Sequence, residues 1–241
     1  LDMVDELRAL PEERQLKLVP HMAARMVRDR IHLSDIVQRL DAATVESVFI
    51  PGGDAPEPAG EYTDALSLLR DLAELGHRFE DVGVAAHPEG HPMVAGDELL
   101  RLLLEKQPLA TYLVTQMCFD ANALVNWLRD IRAAGVTLPA WLGLPGVAEL
   151  HKLMALSLRI GVGQSVRVLR KQKGLVRKMI SAKPYQPDDL LDGLRPHLAE
   201  PGLGIPGFHL FSFNNVEATE KWRAKTYQRL QGNPEQQATR R

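Results

Sequence analysis

The stretch Val84-Ala85-Ala86-His87-Pro88-Glu89-Gly90-His91-Pro92 sets two imidazoles and a carboxylate into a turn at the end of an apolar run. Two histidines four apart would share a metal most readily on a helix, and Pro88 and Pro92 argue against one, so the spacing speaks against a metal site. What is left is a polar turn at a strand end, with groups that stack, hydrogen-bond or titrate near neutral pH. A second such turn is Pro51-Gly52-Gly53-Asp54, where Asp54 is either a site carboxylate or only the cap of a tight turn. Gln116 is the third. It lies within Leu113-Val114-Thr115-Gln116-Met117-Cys118-Phe119 on the same face as Val114 and Cys118, and an unpaired buried amide costs about 1–3 kcal/mol. An amide that donates and accepts suits the edge of a flat heterocycle; the alternative is a glutamine satisfied by neighbouring backbone.

These groups need a frame. Leu16-Lys17-Leu18-Val19 runs into Pro20-His21, Val48-Phe49-Ile50 into Pro51, Val84-Ala85-Ala86 into His87, and Tyr112-Leu113-Val114-Thr115 into Gln116. Two further runs, 139–144 and 208–213, end at Pro145-Gly146 and Asn214-Asn215. Between the runs lie amphipathic segments with apolar residues three and four apart, such as Leu33, Ile36, Val37, Leu40 and Leu66, Leu69, Leu72, Leu75. Others begin near Ala121, Val147, Pro187 and Val216, the first of them capped by Asp120 or Asn122. Strand-then-helix alternation predicts α/β architecture with parallel strands, and in a parallel barrel the polar C-terminal strand ends form the working face. Six units fall short of the eight that close a barrel.

Composition bounds the function classes. A chain of 241 residues with 45 % hydrophobic content can bury one substantial core, and a single α/β domain over residues 1–231 is expected, with a disordered polar tail at 232–241. A net charge of −2 gives no general pull toward nucleic acid or anionic membrane, and no apolar run reaches the length of a membrane span. The single Cys118 excludes an internal disulfide framework and suits a reducing cytoplasm, and with no base in its own motif it reads as a buried strand cysteine rather than a nucleophile. A homo-oligomer stays open. Residues 51–60 are rich in Pro, Gly and Ala and read as an active-site loop. The basic stretch Arg167, Arg170, Lys171, Lys173, Arg177, Lys178 reads as a solvated helix face or an attraction for an anionic tail, and Gly161-Val162-Gly163-Gln164-Ser165 as a tight turn.

The blocks Phe49-Ile50-Pro51-Gly52-Gly53-Asp54, Ala85-Ala86-His87-Pro88-Glu89-Gly90-His91-Pro92, Thr115-Gln116-Met117-Cys118-Phe119-Asp120 and Gly207-Phe208-His209-Leu210-Phe211-Ser212-Phe213-Asn214 occur in the order and spacing of methylenetetrahydrofolate reductases, and residues 19–219 resemble that family. The resemblance implies a (β/α)8 TIM barrel carrying FAD, which relays a hydride from NADH or NADPH to 5,10-methylenetetrahydrofolate and yields 5-methyltetrahydrofolate. It makes residues 16–21 the third strand and 207–214 the eighth, so the first two β/α units, with the family's proton-donating acid, are expected upstream of Leu1. It implies that Asp54 and Gln116 bind the folate, Asp54 also tuning hydride transfer. It further implies that His21, Gly53, Asp54, Tyr62, Thr63, Ala85, His87, His91 and Lys106 line the FAD site. Two positions depart from the family: its usual arginine is Gly52 here and its usual tyrosine is His87, which predicts an altered hold on FAD. Two other functions stay open, a barrel that binds folate or a related pterin without FAD, and a scaffold subunit completed by a partner chain.

Overall fold

A computed structural model describes residues 3, 4, 6, 16–92, 94–159 and 184–231. Five strands, β1 (Ser47–Ile50), β2 (Asp81–Ala86), β3 (Tyr112–Thr115), β4 (Ala140–Pro145) and β5 (Phe208–Phe211), form one sheet in chain order, every neighbouring pair parallel. Residues 20–22 extend it beside β1: the Phe49 N–H donates to the Pro20 carbonyl at 3.0 Å and the Met22 N–H to the Phe49 carbonyl at 2.8 Å. The expected strand at 16–19 is therefore displaced toward its end. Pro20 lacks an N–H but offers a carbonyl, which is all this register asks of it. Lys17 instead pairs with Asp81 at 2.7 Å.

The sheet is curled. Six parallel segments laid flat would hold their outer members about 24 Å apart, at about 4.8 Å per spacing. Yet the rings of His21, on one flank, and His209 of β5, on the other, stand 6.4 Å apart. Side chains of the two flanks meet across a common interior, as in a β/α barrel.

The helices pack outside that curl: α1 (Arg30–Ala42), α2 (Ala65–Leu75), α3 (Gly96–Lys106), α4 (Ala121–Ala133), α5 (Leu150–Arg159), α6 (Asp188–Leu194) and α7 (Val216–Gln231). Three begin at aspartates that satisfy orphan amides. Asp29 accepts from His32 N–H, Asp64 from Leu66 and Ser67, and Asp120 from Asn122 and Ala123, which settles the cap of α4 in favour of Asp120. Leu33, Leu40, Leu68, Leu69, Leu72, Leu124 and Leu128 are fully buried against Ile50, Leu113, Leu142 and Leu144, the outward parity of the strands. The α5 helix starts at Leu150 rather than near Val147, because the Val147 N–H donates to Thr219 Oγ1 and its carbonyl accepts from Asn215 Nδ2, tying that turn to α7. Among the described residues no helix is long and apolar enough to cross a membrane. The basic stretch at 167–178, the glycine turn at 161–165 and the tail at 232–241 lie outside the described residues.

The inward parity is chemically different. It carries Phe49, Ala85, Tyr112, Val114, Trp141, His209 and Phe211, with Gly83 and Gly143 where rings need room. A Cβ on Gly83 would stand 2.3 Å from Tyr112 Cζ, so the tyrosine ring lies across that glycine. His21 packs on Phe49 at 4.7 Å and His209 on Phe211 at 4.8 Å, giving the interior an aromatic wall.

Candidate active site

Three adjacent parallel strands release their chains at the same end of the sheet, and each carries one of the polar turns read from the sequence. Asp54 follows β1, His87 follows β2 and Gln116 follows β3. Contacts join them. The Gln116 N–H donates to the Ala86 carbonyl at 2.7 Å, fastening the end of β3 to the residue before His87. The rings of His87 and His91 meet edge to face at 4.9 Å, and the Asp54 carboxylate lies close enough to favour the charged form of His91. Asp54, His91, His87 and Gln116 thus form a continuous arc.

Each group is tuned by its surroundings. Burial pushes His87 down to about 4, helped by the neighbouring positive charges of His91 and Lys106, so its imidazole is neutral at pH 7. Burial also lowers His21, His209 and His91, the last opposed by Asp54. Lys106 closes α3 and reaches β2, where its ammonium donates to the Ala85 carbonyl at 3.2 Å. Burial brings it down to about 8, against the pull of Asp64, and no carboxylate within ion-pair distance neutralises it among the described residues. Gln116 Oε1 accepts from the Met117 N–H at 3.0 Å, so the acceptor end of the amide is tied to local backbone, while among the described residues its NH2 donates to no partner. That is half of each reading of this residue.

The remaining expected residues divide by place. Gly53, in the left-handed region at φ +97°, leads directly into Asp54. His21 stands apart from the arc, on the aromatic wall with Phe49 and His209. Tyr62 is buried, which raises its pKa, and its hydroxyl donates to Asp71 at 2.7 Å, which raises it further and commits the polar end to α2. Thr63 is exposed and donates to Asp64 at 3.2 Å. Sequence reasoning missed Tyr112, Trp141, His209 and Phe211 as lining groups; the inward parity of their strands was the available signal. Beyond the arc, the start of α5 and the β5–α7 turn enclose an open groove of about 380 Å³, walled by Glu149, Lys152, Leu153, Phe213 and Asn214.

The neutral His87 makes stability depend on pH. Its folded value of about 4 lies below the unfolded value of 6.5, so the unfolded chain binds the extra proton between them. The contribution is complete above about pH 6.5 and is lost as pH falls through 4, on the order of 3 kcal/mol at most. Urea unfolding at pH 7 and pH 4.5 should show a markedly steeper acid loss for the wild type than for His87→Phe; equal losses would contradict the burial argument.

A curled parallel β/α sheet with its polar groups gathered at the C-terminal strand ends places the chain in the class of β/α-barrel proteins. The family model for methylenetetrahydrofolate reductase matches residues 3–225, and the chain belongs to that family. It is 26 % identical to "Methylenetetrahydrofolate reductase 2" of Saccharomyces cerevisiae over 144 residues, 55 % of this chain and 23 % of the yeast protein. It is 24 % identical over 191 residues to "Probable methylenetetrahydrofolate reductase (NADPH)" of Caenorhabditis elegans, 74 % of this chain and 28 % of that protein. A segment of 65 residues is 37 % identical to "Methylenetetrahydrofolate reductase 1" of Schizosaccharomyces pombe, 26 % of this chain and 11 % of that protein. The chain spans less than a third of the length of each of these relatives.

Proposed function

We propose that this chain binds 5,10-methylenetetrahydrofolate and FAD at the strand-end arc and takes part in reduction of the folate to 5-methyltetrahydrofolate at the expense of NADH or NADPH. The observation that carries this reading is the arc itself, in which Asp54, His91, His87 and Gln116 meet beside an aromatic wall.

The residues fit a flavin nucleotide in one specific respect. The Lys106 ammonium is a buried cation with no ion-paired carboxylate among the described residues, a site suited to a phosphate. When bound, FAD would supply the two-electron relay between the nicotinamide and the folate methylene carbon. Lys106 would hold its phosphates, His87 and His91 would press against it as neutral rings, and the backbone at Gly53 and Ala85 would approach it closely. His21 would meet it from the aromatic wall, with the Tyr62 ring and the exposed Thr63 hydroxyl near its far end. Asp54 would accept hydrogen bonds from the folate ring and favour the positive charge that develops on it as the methylene bridge opens to the iminium, the form that then takes the hydride. Gln116, its carbonyl oxygen already engaged, would donate through its NH2.

A specific observation favours a second reading, a folate-binding barrel that works without FAD. Gly52 stands where the family carries an arginine, and nothing lies within 4 Å of where its Cβ would be, so among the described residues no side chain packs at the point from which that arginine would branch. One experiment separates the two. The purified full-length protein is incubated with FAD, freed of excess, and its visible spectrum recorded before and after anaerobic addition of NADPH or NADH, then of methylenetetrahydrofolate. A flavin band that bleaches and returns supports the first reading; a colourless protein that still binds folate supports the second; a protein that binds neither overturns both.

A further inference from the structure

The chain after His21 and the loop after β1 are laced together by backbone hydrogen bonds running both ways. Ala24 and Arg25 N–H donate to the carbonyls of Pro51 and Gly52, each at 3.0 Å, and Ala59 and Glu61 N–H donate back to the carbonyls of Arg25 and Arg28 at 2.8 and 2.7 Å. Contact is close enough that a Cβ on Gly60 would lie 1.9 Å from the Arg28 carbonyl oxygen. One side chain ties the lacing. Arg25 donates from Nε to the Ala55 carbonyl at 2.7 Å, from Nη2 to Pro56 at 2.7 Å and from Nη1 to Thr63 at 2.9 Å. Asp54 is the residue immediately before the first of these acceptors. On its other side Gly53 is held at φ +97°, the position of its absent Cβ 3.3 Å from Ala23 Cβ and 3.5 Å from Arg25 Cβ.

We infer that Arg25 is the positioning residue for Asp54, fixing by its guanidinium fork the loop that presents the carboxylate. The inference rests on the reading of Asp54 as a folate-binding group. The choice of acceptors is what gives the arrangement its sense. A guanidinium paired to Asp54 would hold the loop but neutralise the charge, whereas one paired to three carbonyls holds the loop and leaves the carboxylate charged for a ligand. Directing three of five donors at backbone also separates this arginine from a phosphate-binding one. Lysine, a single point donor, cannot span carbonyls contributed by residues 55, 56 and 63.

The test is a double-mutant cycle on the full-length protein, with affinity for 5-methyltetrahydrofolate read by quenching of tryptophan fluorescence. Asp54→Asn should weaken binding roughly tenfold or more, as should Arg25→Met, and the double variant should be no weaker than Asp54→Asn alone within about twofold. Hydrogen exchange of the Ala59 and Glu61 amides should quicken at least roughly tenfold in Arg25→Met. Should Arg25→Met fail to fold, Arg25→Lys carries the cycle with the same expected non-additivity. Full additivity, or unchanged affinity on substituting Arg25 alone, overturns the positioning role while leaving Asp54 in place. Unchanged affinity in Asp54→Asn overturns the folate reading of Asp54 and the inference with it.

Discussion

Asp54→Asn is expected to lower turnover of methylenetetrahydrofolate by about a hundredfold, the size of loss that follows removal of one charged group aimed at developing charge. The folded state should hardly notice. Asp54 is exposed, and its carboxylate accepts no hydrogen bond from any described residue, so its substitution should stay within about 0.5 kcal/mol in urea unfolding. That contrast is what marks a group kept for a ligand. A carboxylate that merely capped its own turn would show the reverse, a loss of stability with turnover intact. The substitution also removes the charge that favours protonated His91, so the His91 titration, followed by NMR, should move further below 6.5. If turnover falls because the charge is gone, kcat should carry most of the loss; if Asp54 only anchors the ring in the ground state, KM should carry it.

Much of the frame was legible because its signals are local. Proline after Ile50 and His87 marks where a strand gives way to a turn, and an aspartate before an apolar-periodic run offers an oxygen to free amides, as Asp29, Asp64 and Asp120 do. The polar residues just past three strand ends follow from that punctuation, and their sharing one end of the sheet follows from parallel pairing. The inaccuracies have non-local causes. Pairing at residues 20–22 depends on which Phe49 groups are free, and the late start of α5 depends on Thr219 and Asn215, about seventy residues away. Arg25 left no trace in the sequence, since one arginine among 29 basic residues looks like any surface cation until three carbonyls converge on it. The half-engaged amide of Gln116 was equally invisible, because its partner is the next residue's own N–H.

The second large effect belongs to a glycine that does no chemistry. Gly143 lies on the inward face of β4, where an added Cβ would stand 2.2 Å from the Thr115 carbonyl oxygen, 2.8 Å from Phe211 Cε2 and 3.0 Å from the Gln116 carbonyl carbon. Two of those neighbours are backbone, held by their own bonds. The Gly143 N–H donates to Thr115 Oγ1 at 2.8 Å, and the Gly143 carbonyl accepts from Cys118 N–H at 3.3 Å, so the chain cannot slide away without leaving buried polar groups unpaired. Gly143→Ala should therefore cost about 3 kcal/mol or more in urea unfolding, at the upper end for overpacking a core. Gly52→Ala is the control, since nothing lies within 4 Å of its Cβ position and its φ lies outside the left-handed region. It should stay within about 0.5 kcal/mol of the wild type. The destabilised variant carries a functional consequence that stability alone does not explain. Relief of the clash must push on Thr115 and Gln116 or on the Phe211 ring, which are the end of β3 and part of the aromatic wall. In the fraction that remains folded, folate affinity should fall as well, measured at a temperature where unfolding is negligible. Unchanged affinity there would mean that the strand end yields without moving Gln116, and the close approach of β3 to β4 at Gly143 would then be a matter of packing alone.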